Sequence, residues 1–598
     1  MRRGVRVACT AFASTVLGTL GGVVGADAEF VTAAEGPPEA SSPPTVSPTA
    51  APTPRASPRA VSLAFRVPPS PTVISSRRQL GDVLRASIHA VSGASLKQLN
   101  SQVEVGEDEL EECVCLCARA KTSRPTPVTF PSLRPTAPPP RRYGFSAVSY
   151  HRTQSPHAVV FPLSTAEVAA VVRTCAEHRV NVIPRGGGTS LEGQVLPLRQ
   201  GRWEEGAGGA TPFARPTVIL AMDRMNAVLE VHEGDLDARV QAGVGWMDLQ
   251  RALAPAGLMF PVDPGPGAQI GGMCGTGCSG THAVRHGAMK ANVLSLTAVA
   301  SDGTVFSTGA RARKSVAGLD LTSLLIGSEG TLAIVTEAVL KLAHAPEVTV
   351  VVSTPFPTVR RACEAVAGAV AGGLPLAAAE LMDGPMCGAV RANAPALLPA
   401  GAVPHVLWKL SGTHAAVADA SARLRALVER AGGAGWAEAD LGVPEGAALW
   451  DARKTALFSA AAAHPGAQTL VTDVCVPLGA LPALLERAEA RLAGVAPGAP
   501  AVYTVAHAGD GNAHHFVVYQ PAQEAAAHEL ADWLAKEAIA LGGTCTGEHG
   551  VGAGKLKHLL PELGPGNARV AAAIKAALDP GAILNPGKKI PPWAGALA

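Results

Sequence analysis

Three features of the sequence predict an α+β fold in two globular parts, set behind a long leader. The run HAVVFPLSTAEVAAVVRTCAEHRVNVIP reads as strand, helix, strand. After Pro346 the texture changes, and alanine-rich helices alternate with separate apolar strands. Before residue 140 the chain is poor packing material, because Gly36 to Pro71 is dominated by Pro, Ser, Thr and Ala. The expected division is a targeting leader with a low-complexity, largely disordered segment at 1–140, a first domain at 141–346 and a second at 347–598.

The 598 residues leave room for two or three domains. Apolar residues make up 47% and aromatic residues only 4%, so the cores must rest on Ala, Val and Leu. A formal charge of +2 gives no strong basic field and argues against a nucleic-acid partner. The eleven cysteines follow no zinc or disulfide spacing. Cys113, Cys115 and Cys117 alternate, and Cys274 and Cys278 stand alone, so isolated reduced thiols are expected.

The N-terminus carries Arg2, Arg3 and Arg6, then an apolar stretch from Val7 to Ala26, then further arginines among few acids. That composition suggests organelle import, with the mitochondrion favoured. A plastid or secretory route is the alternative, since the stretch ending at Ala26-Asp27-Ala28 resembles a signal peptide. It is too rich in Gly, Ala and Thr to make a strong membrane span.

Order is expected from about Tyr143. Val159 to Phe161 form a strand, and Ser164 with Glu167 form a capping box before the stripe Val168, Val171, Val172 and Cys175. VNVIP is a second strand and RGGGTS a loop. GRWEEGAGGATPFARP is an exposed insertion. TVILAM and ARVQAG are strands, and MDLQRALAPAG is a helix with a glycine stop. LSLTAVASDGTVF reads as a hairpin turning at Asp302-Gly303, and LLIGSEGTLAIVTEAVLKLA is the last strong strand pattern before Pro346. In the second part EVTVVVSTPF, PHVLWKLSG and QTLVTDVCVP are strands, and HAAVADASARLRALVERAGG and LPALLERAEARLAG are helices.

Gly275, Gly277 and Gly280 spell G-x-G-x-x-G, with Asp302 about twenty residues on. A Rossmann site needs a strand before and a helix after. Here PVDPGPGAQIGGMC precedes and THAVRHGAMKANV follows, so that reading is rejected. Glycine loops can still cradle phosphate through backbone N–H groups. Two dense loops, Arg185–Ser190 and Gly265–Gly280, favour a dinucleotide site over a pair of tight surface turns.

Near the C-terminus, AVYTVAHAGDGNAHHFVVYQ places two strands around a Gly-Asp-Gly-Asn turn. The turn brings His507 and His514 alongside each other, where both imidazoles can face one ion. TGEHGVGAGK then offers the Glu548 carboxylate, with His549 next to it. On its own this loop reads equally well as a glycine-rich surface segment.

PRGGGTSLEGQ, PVDPGPGAQIGGM with SGTHAVRHGAMKANVL, and AGLDLTSLLIGSEGTLAIVTEAVLKL together resemble the vanillyl-alcohol-oxidase-type FAD fold. Within it they resemble the D-lactate dehydrogenase (cytochrome) and glycolate oxidase branch, over roughly residues 150 to 590. The resemblance implies an α+β fold with a two-subdomain FAD-binding domain followed by an α+β substrate or cap domain. It implies that Arg185, Gly186, Gly187, Gly188, Thr189 and Ser190, with Pro264, Gly265, Gly271 and Gly272, wrap the FAD pyrophosphate. Ser279, Gly280 and Ile334 would approach the flavin or adenosine, and Asn585 in LDPGAILNPGKKIP would return to the flavin. Thr189 stands where relatives with covalent FAD have His, so non-covalent FAD is implied. His286 in place of Tyr, Ala333 in place of Gly, and the Cys-Gly-Thr-Gly-Cys stretch depart from the family pattern.

The pairing H-x-G-D-G-N-x-H with G-E-H-G-V-G is also similar to the family signature. It implies His507, His514 and Glu548 as ligands of a divalent zinc or manganese, and His549 as the catalytic base working near its ordinary pKa. LWDARKTA resembles a W-x-x-R element, which implies that Arg453 grips the substrate carboxylate. Relatives acting on 2-hydroxyglutarate carry a Lys near Val471, and its absence disfavours a dicarboxylate. The implied activity is oxidation of D-lactate, a small D-2-hydroxy acid, to pyruvate, with hydride passing to FAD and electrons to cytochrome c or a quinone-linked acceptor. The alternatives are glycolate or another D-2-hydroxy acid with a quinone or flavoprotein acceptor, and a non-catalytic FAD-binding protein. The same fold also serves ether-lipid synthesis without net redox, but the intact His507, His514 and Glu548 set argues against that. Peripheral membrane association is left open.

Overall fold

The structure, a computed structural model, describes residues 77–105 and, with gaps chiefly at 106–142 and 199–214, residues 143–591. The expected import signal, Cys113–Cys117 and most of the 201–216 insertion lie outside the described residues.

The first sheet holds β1 (Val103–Val105), β2 (Ala158–Val160), β3 (Asn181–Arg185) and β4 (Thr217–Ala221) in the order β1-β2-β4-β3. β4 is parallel to both β2 and β3, so each connection crosses over one face. The helix Thr165–Glu177 makes the first crossover, and its stripe Val168, Val171, Val172 and Cys175 is fully buried. Ser164 caps it by accepting from the Glu167 amide at 3.3 Å. The second half of the expected box differs. Glu167 accepts instead from the Leu163 amide and from Gln102 Nε2, both at 2.9 Å.

Gln102 belongs to a segment that the sequence reading left in the leader. The helices Arg77–Ser92 and Leu96–Gln102 lead into β1, which pairs antiparallel with β2. Leu80, Leu84 and Ile88 bury against the Thr165–Glu177 helix and its sheet. Their four-residue spacing is a helical face, overlooked because a proline-rich tract precedes it.

The second sheet is antiparallel, with β5 (Val228–His232), β6 (Asp237–Gln241), β8 (Val293–Val299), β9 (Val305–Ser307) and β10 (Ile334–Lys341) in the order β5-β6-β10-β8-β9. A small ribbon pairs β7 (Leu258–Met259) with β11 (Ala343–His344). Gly303 takes φ 82° in the expected turn between β8 and β9. The G-x-G-x-x-G run lies at the end of a helix, Ile270–Thr276, which Gly277 closes at φ 69°. A Rossmann site has the opposite polarity, with its glycines opening the helix.

The second domain is built on one eight-stranded sheet: β12 (Val348–Pro355), β13 (Leu376–Met382), β14 (His405–Gly412), β15 (Ala437–Asp440), β16 (Gln468–Val471), β17 (Val474–Cys475), β18 (Ala501–His507) and β19 (Asn512–Tyr519). The order is β15-β12-β14-β13-β18-β19-β16, with β17 also on β19. Trp408 faces the core beneath the helices Val359–Ala371, His414–Arg430 and Leu481–Ala493. The opposite face carries Met382, Leu407, Val505 and Phe516, packed against Trp450 and Ala456. Strand alternation puts Glu380 and His507, which oppose each other across β13 and β18, on this second face. The described cysteines are free thiols, and no described helix is long and apolar enough to cross a membrane.

Candidate functional site

The β18–β19 hairpin turns both imidazoles to one side. Val505 opposes His514 and His507 opposes Asn512, so the two-residue period puts His507 and His514 on the same face. Their rings stand 5.3 Å apart at 87°. Each turns Nε2 to Glu548 Oε1, at 3.2 Å from His507 and 3.1 Å from His514. The three donor atoms lie within 4.8 Å of one another.

The far nitrogens are held from behind. His507 Nδ1 meets Glu380 Oε1 at 2.7 Å, and His514 Nδ1 meets the Thr472 carbonyl at 3.2 Å. Histidines that ligate a metal are oriented in this way. Burial disfavours a charge on His507, yet the Glu380 and Glu548 carboxylates hold it well above its ordinary range. Burial likewise disfavours the Glu548 carboxylate, but the two imidazoles hold it well below. The cluster thus favours positive charge beside Glu548, which is the electrostatic demand a cation would meet.

Glu548 and His549 sit in the loop 546–555, which is anchored on two sides. Asp473 Oδ2 accepts from Thr546 Oγ1 at 2.8 Å and from the amides of Glu548 and His549 at 3.0 and 2.8 Å. Burial would raise the Asp473 pKa, but Lys555, His549 and His514 hold it well below the carboxylate range. The first domain supplies the other anchor. Gln194 Nε2 donates to the His549 carbonyl at 2.6 Å, and the Glu329 carboxylate accepts from the amides of Val551 and Gly552 at 2.7 and 2.8 Å. Glu329 is buried and holds φ 56°, an unfavourable conformation for a residue with a Cβ that both of these bonds help to fix.

His549 is half-buried, with its ring stacked on His514 at 4.8 Å and 15°. Its Nδ1 has no hydrogen-bond partner among the described residues. Burial pushes the imidazole down to about 4, against the opposing pull of Asp473, so it is neutral at pH 7. The expectation of an ordinary pKa is corrected on that ground. Asp473, His514 and His549 also bring donor atoms within 4.8 Å of one another, but there His514 would use the nitrogen that faces Thr472.

Arg453 lies one step behind the cluster. It stands on the helix Pro444–Lys454, and its Nε donates to Glu380 Oε2 at 2.8 Å. Its two Nη groups make no hydrogen bond to a described residue, which leaves a two-pronged face free for a carboxylate.

The glycine loops meet each other. A Cβ on Gly187 would lie 2.0 Å from the Gly267 carbonyl oxygen, so only glycine permits the approach. Gly186 faces Gln269, and Thr189 lies beside Gly267. Ser190 is tied to Ser146 through its carbonyl at 3.2 Å. Among the described residues the amides of Gly186 to Ser190 and of Gly265, Gly267 and Ala268 donate no hydrogen bond. Gly265 and Gly272 face open space, and Pro264 leads into this turn. Gly271 packs on Ala242, and Gly280 on Asp263. Two half-exposed loops with unengaged N–H groups fit a diphosphate. The Arg185 guanidinium folds against Gly188 of the first loop, with Nη1 donating to the Tyr143 carbonyl at 3.1 Å.

The stretch that follows the second loop reaches the histidine hairpin. Val284, just past Ser279 and Gly280, packs on Gly509 in the turn between His507 and His514. Two expected contacts lie deeper. Ile334 is fully buried in the core of the first sheet. Asn585 Nδ2 donates to the carbonyls of Gln194 and Glu329 at 3.0 and 2.7 Å, and Lys588 lies 3.3 Å from its Oδ1. Its side chain braces the two loops that hold 546–555.

Glu380, Asp473, Glu329 and Gln194 were not singled out from the sequence. Glu380 and Asp473 had a signal, a lone acid within LAAAELM and within LVTDVCVP. Gln194 and Glu329 act across more than two hundred residues and had none.

Residues 156–309 match the FAD binding domain family, and residues 345–589 match the C-terminal domain of FAD linked oxidases. A mitochondrial D-lactate dehydrogenase (cytochrome) of Arabidopsis thaliana is 40% identical, over 74% of this chain and 75% of that protein. The glycolate oxidase subunit GlcD of Bacillus subtilis is 33% identical, over 75% and 91%. The solved structure of a 4-ethylphenol oxidase from Gulosibacter chungangensis shares the fold, with TM-score 0.57 and 18% identity over 76% of this chain and 92% of that one.

Proposed function

The chain belongs to the FAD-linked oxidase family that includes the D-lactate dehydrogenases (cytochrome), and from that membership we propose that it oxidises D-lactate to pyruvate. The convergence of His507, His514 and Glu548 beside the neutral His549 carries this reading. Non-covalent FAD would lie along Gly186–Ser190 and Gly265–Gly272. His507, His514 and Glu548 would hold zinc or manganese, both of which accept mixed N/O ligands.

When bound, FAD supplies the hydride acceptor, and the ion supplies the charge that lowers the pKa of the substrate hydroxyl. The chain does the rest. Arg453 holds the substrate carboxylate through its free Nη face, with its Nε fixed on Glu380. Glu380 thereby ties the carboxylate clamp to the His507 ligand through one buried side chain. His549 receives the hydroxyl proton on its neutral imidazole, which stacks on the His514 ligand. Because burial makes this imidazole a weak base, the transfer depends on prior acidification of the hydroxyl. The names of relatives support a cytochrome acceptor and a mitochondrial location, and cytochrome c is the acceptor included in the same proposal.

Anaerobic mixing of the purified flavoprotein with D- and L-lactate, glycolate and longer 2-hydroxy acids tests it. D-lactate is expected to bleach the flavin fastest. Faster bleaching by an L-isomer, or by none of the panel, would overturn the proposal. Glu380→Gln is expected to weaken ion binding by about 10–100-fold, since it loosens the partner that orients His507, as equilibrium dialysis would show.

A further inference from the structure

Lys409 is a buried cation for which the reaction above has no use. It stands on β14 with only 5% of its surface exposed. Among the described residues its ammonium makes no hydrogen bond and no ion pair. The ammonium lies over the face of Trp450, 3.7 Å from the ring centre. A cation–π contact offsets only part of what burying an ammonium costs.

Its position is not arbitrary. Leu407 opposes Glu380, which opposes His507, and Lys409 is two residues from Leu407. Lys409 therefore shares the sheet face of the metal-ligand cluster. Trp450 and Arg453 lie three residues apart on one helix, so Lys409 and Arg453 mark points about one helical turn apart.

The acids near Lys409 are already engaged. Glu380 binds Arg453 and His507. Asp263 accepts from Thr281 Oγ1 at 2.6 Å and the His282 amide at 3.1 Å. His282 Nδ1 stays without a hydrogen bond, 3.5 Å from Asp263. Burial pushes Lys409 down to about 8, which leaves it mostly charged at neutral pH.

We propose that Lys409, seated on the face of Trp450, is a second anion subsite that receives the far carboxylate of a four- or five-carbon D-2-hydroxy dicarboxylic acid. This rests on the proposed oxidation of D-2-hydroxy acids and extends its substrate range. The missing lysine near Val471 does not oppose it. Val471 lies on β16, beyond β19, whereas Lys409 lies on β14 at the other side of the histidines.

Two measurements test the subsite. Succinate, which has two carboxylates and no hydroxyl to oxidise, is expected to perturb the flavin spectrum at concentrations at least about tenfold below propionate. The kcat/KM ratio of D-malate to D-lactate is expected to fall about tenfold or more in Lys409→Met and to be kept in Lys409→Arg. A general packing defect would lower both substrates together and leave the ratio unmoved. Equal succinate and propionate affinity in the unaltered holoenzyme, or an unmoved ratio in Lys409→Met, would overturn the subsite. Failure of D-lactate itself to reduce the flavin would instead remove the reading on which it rests.

Discussion

Glu548→Gln is expected to abolish turnover while the protein stays yellow. The residue is the meeting point of the cluster, since both Nε2 atoms converge on its Oε1 at 3.1–3.2 Å. The neutral amide keeps the shape but removes the charge that a divalent ion needs, and its NH2 group can turn a donor towards the ion. The lost acidification of the hydroxyl corresponds to several kcal/mol, or a fall in kcat on the order of 10³-fold or more. The glycine loops are made of other residues, so FAD content, read from the visible spectrum of desalted protein, is expected to match the unaltered chain. Metal analysis of the same sample should show the ion lost. Full activity of this variant in the presence of a chelator would remove the metal from the proposal.

His549→Ala is expected to separate the base from the ion. His549 touches the cluster only by stacking on His514, and its backbone bonds to Asp473 and Gln194 survive the substitution. Ion and flavin should both remain, while kcat falls by about 10²–10⁴-fold, the range for loss of a positioned general base. The pH dependence carries the sign. Burial depresses the imidazole to about 4, so in the unaltered enzyme the base is lost only as pH falls through that region. The acidic limb is expected to disappear in the variant. A variant that keeps full kcat, or one that also loses its ion, would show that His549 is not a separate base.

The sequence carried the site further than it carried the frame. A turn flanked by two histidines fixes their facing by strand period alone, and the hairpin obeys it. The glycine loops were legible because close backbone approach tolerates no Cβ, as at Gly187 and Gly267. Long-range partners were not legible. Nothing beside Glu329 in the sequence says that its carboxylate will cap two amides more than two hundred residues away. The bracing role of Asn585 was not legible either, since its amide donates to two carbonyls more than two hundred residues away. The helix at Arg77–Ser92 was missed because composition was judged over the whole leader and not over its last two turns of apolar spacing.

The bonds from Gln194 and Glu329 to the loop 546–555 also bear on how such a protein can be rebuilt. The two halves do not behave as separable cartridges. A hybrid that joined the first half of one relative to the second half of another at Pro346 would have to keep this acid and amide matched to the incoming loop. Otherwise it would inherit every chemical group of the reaction with its proton acceptor hung at the wrong height.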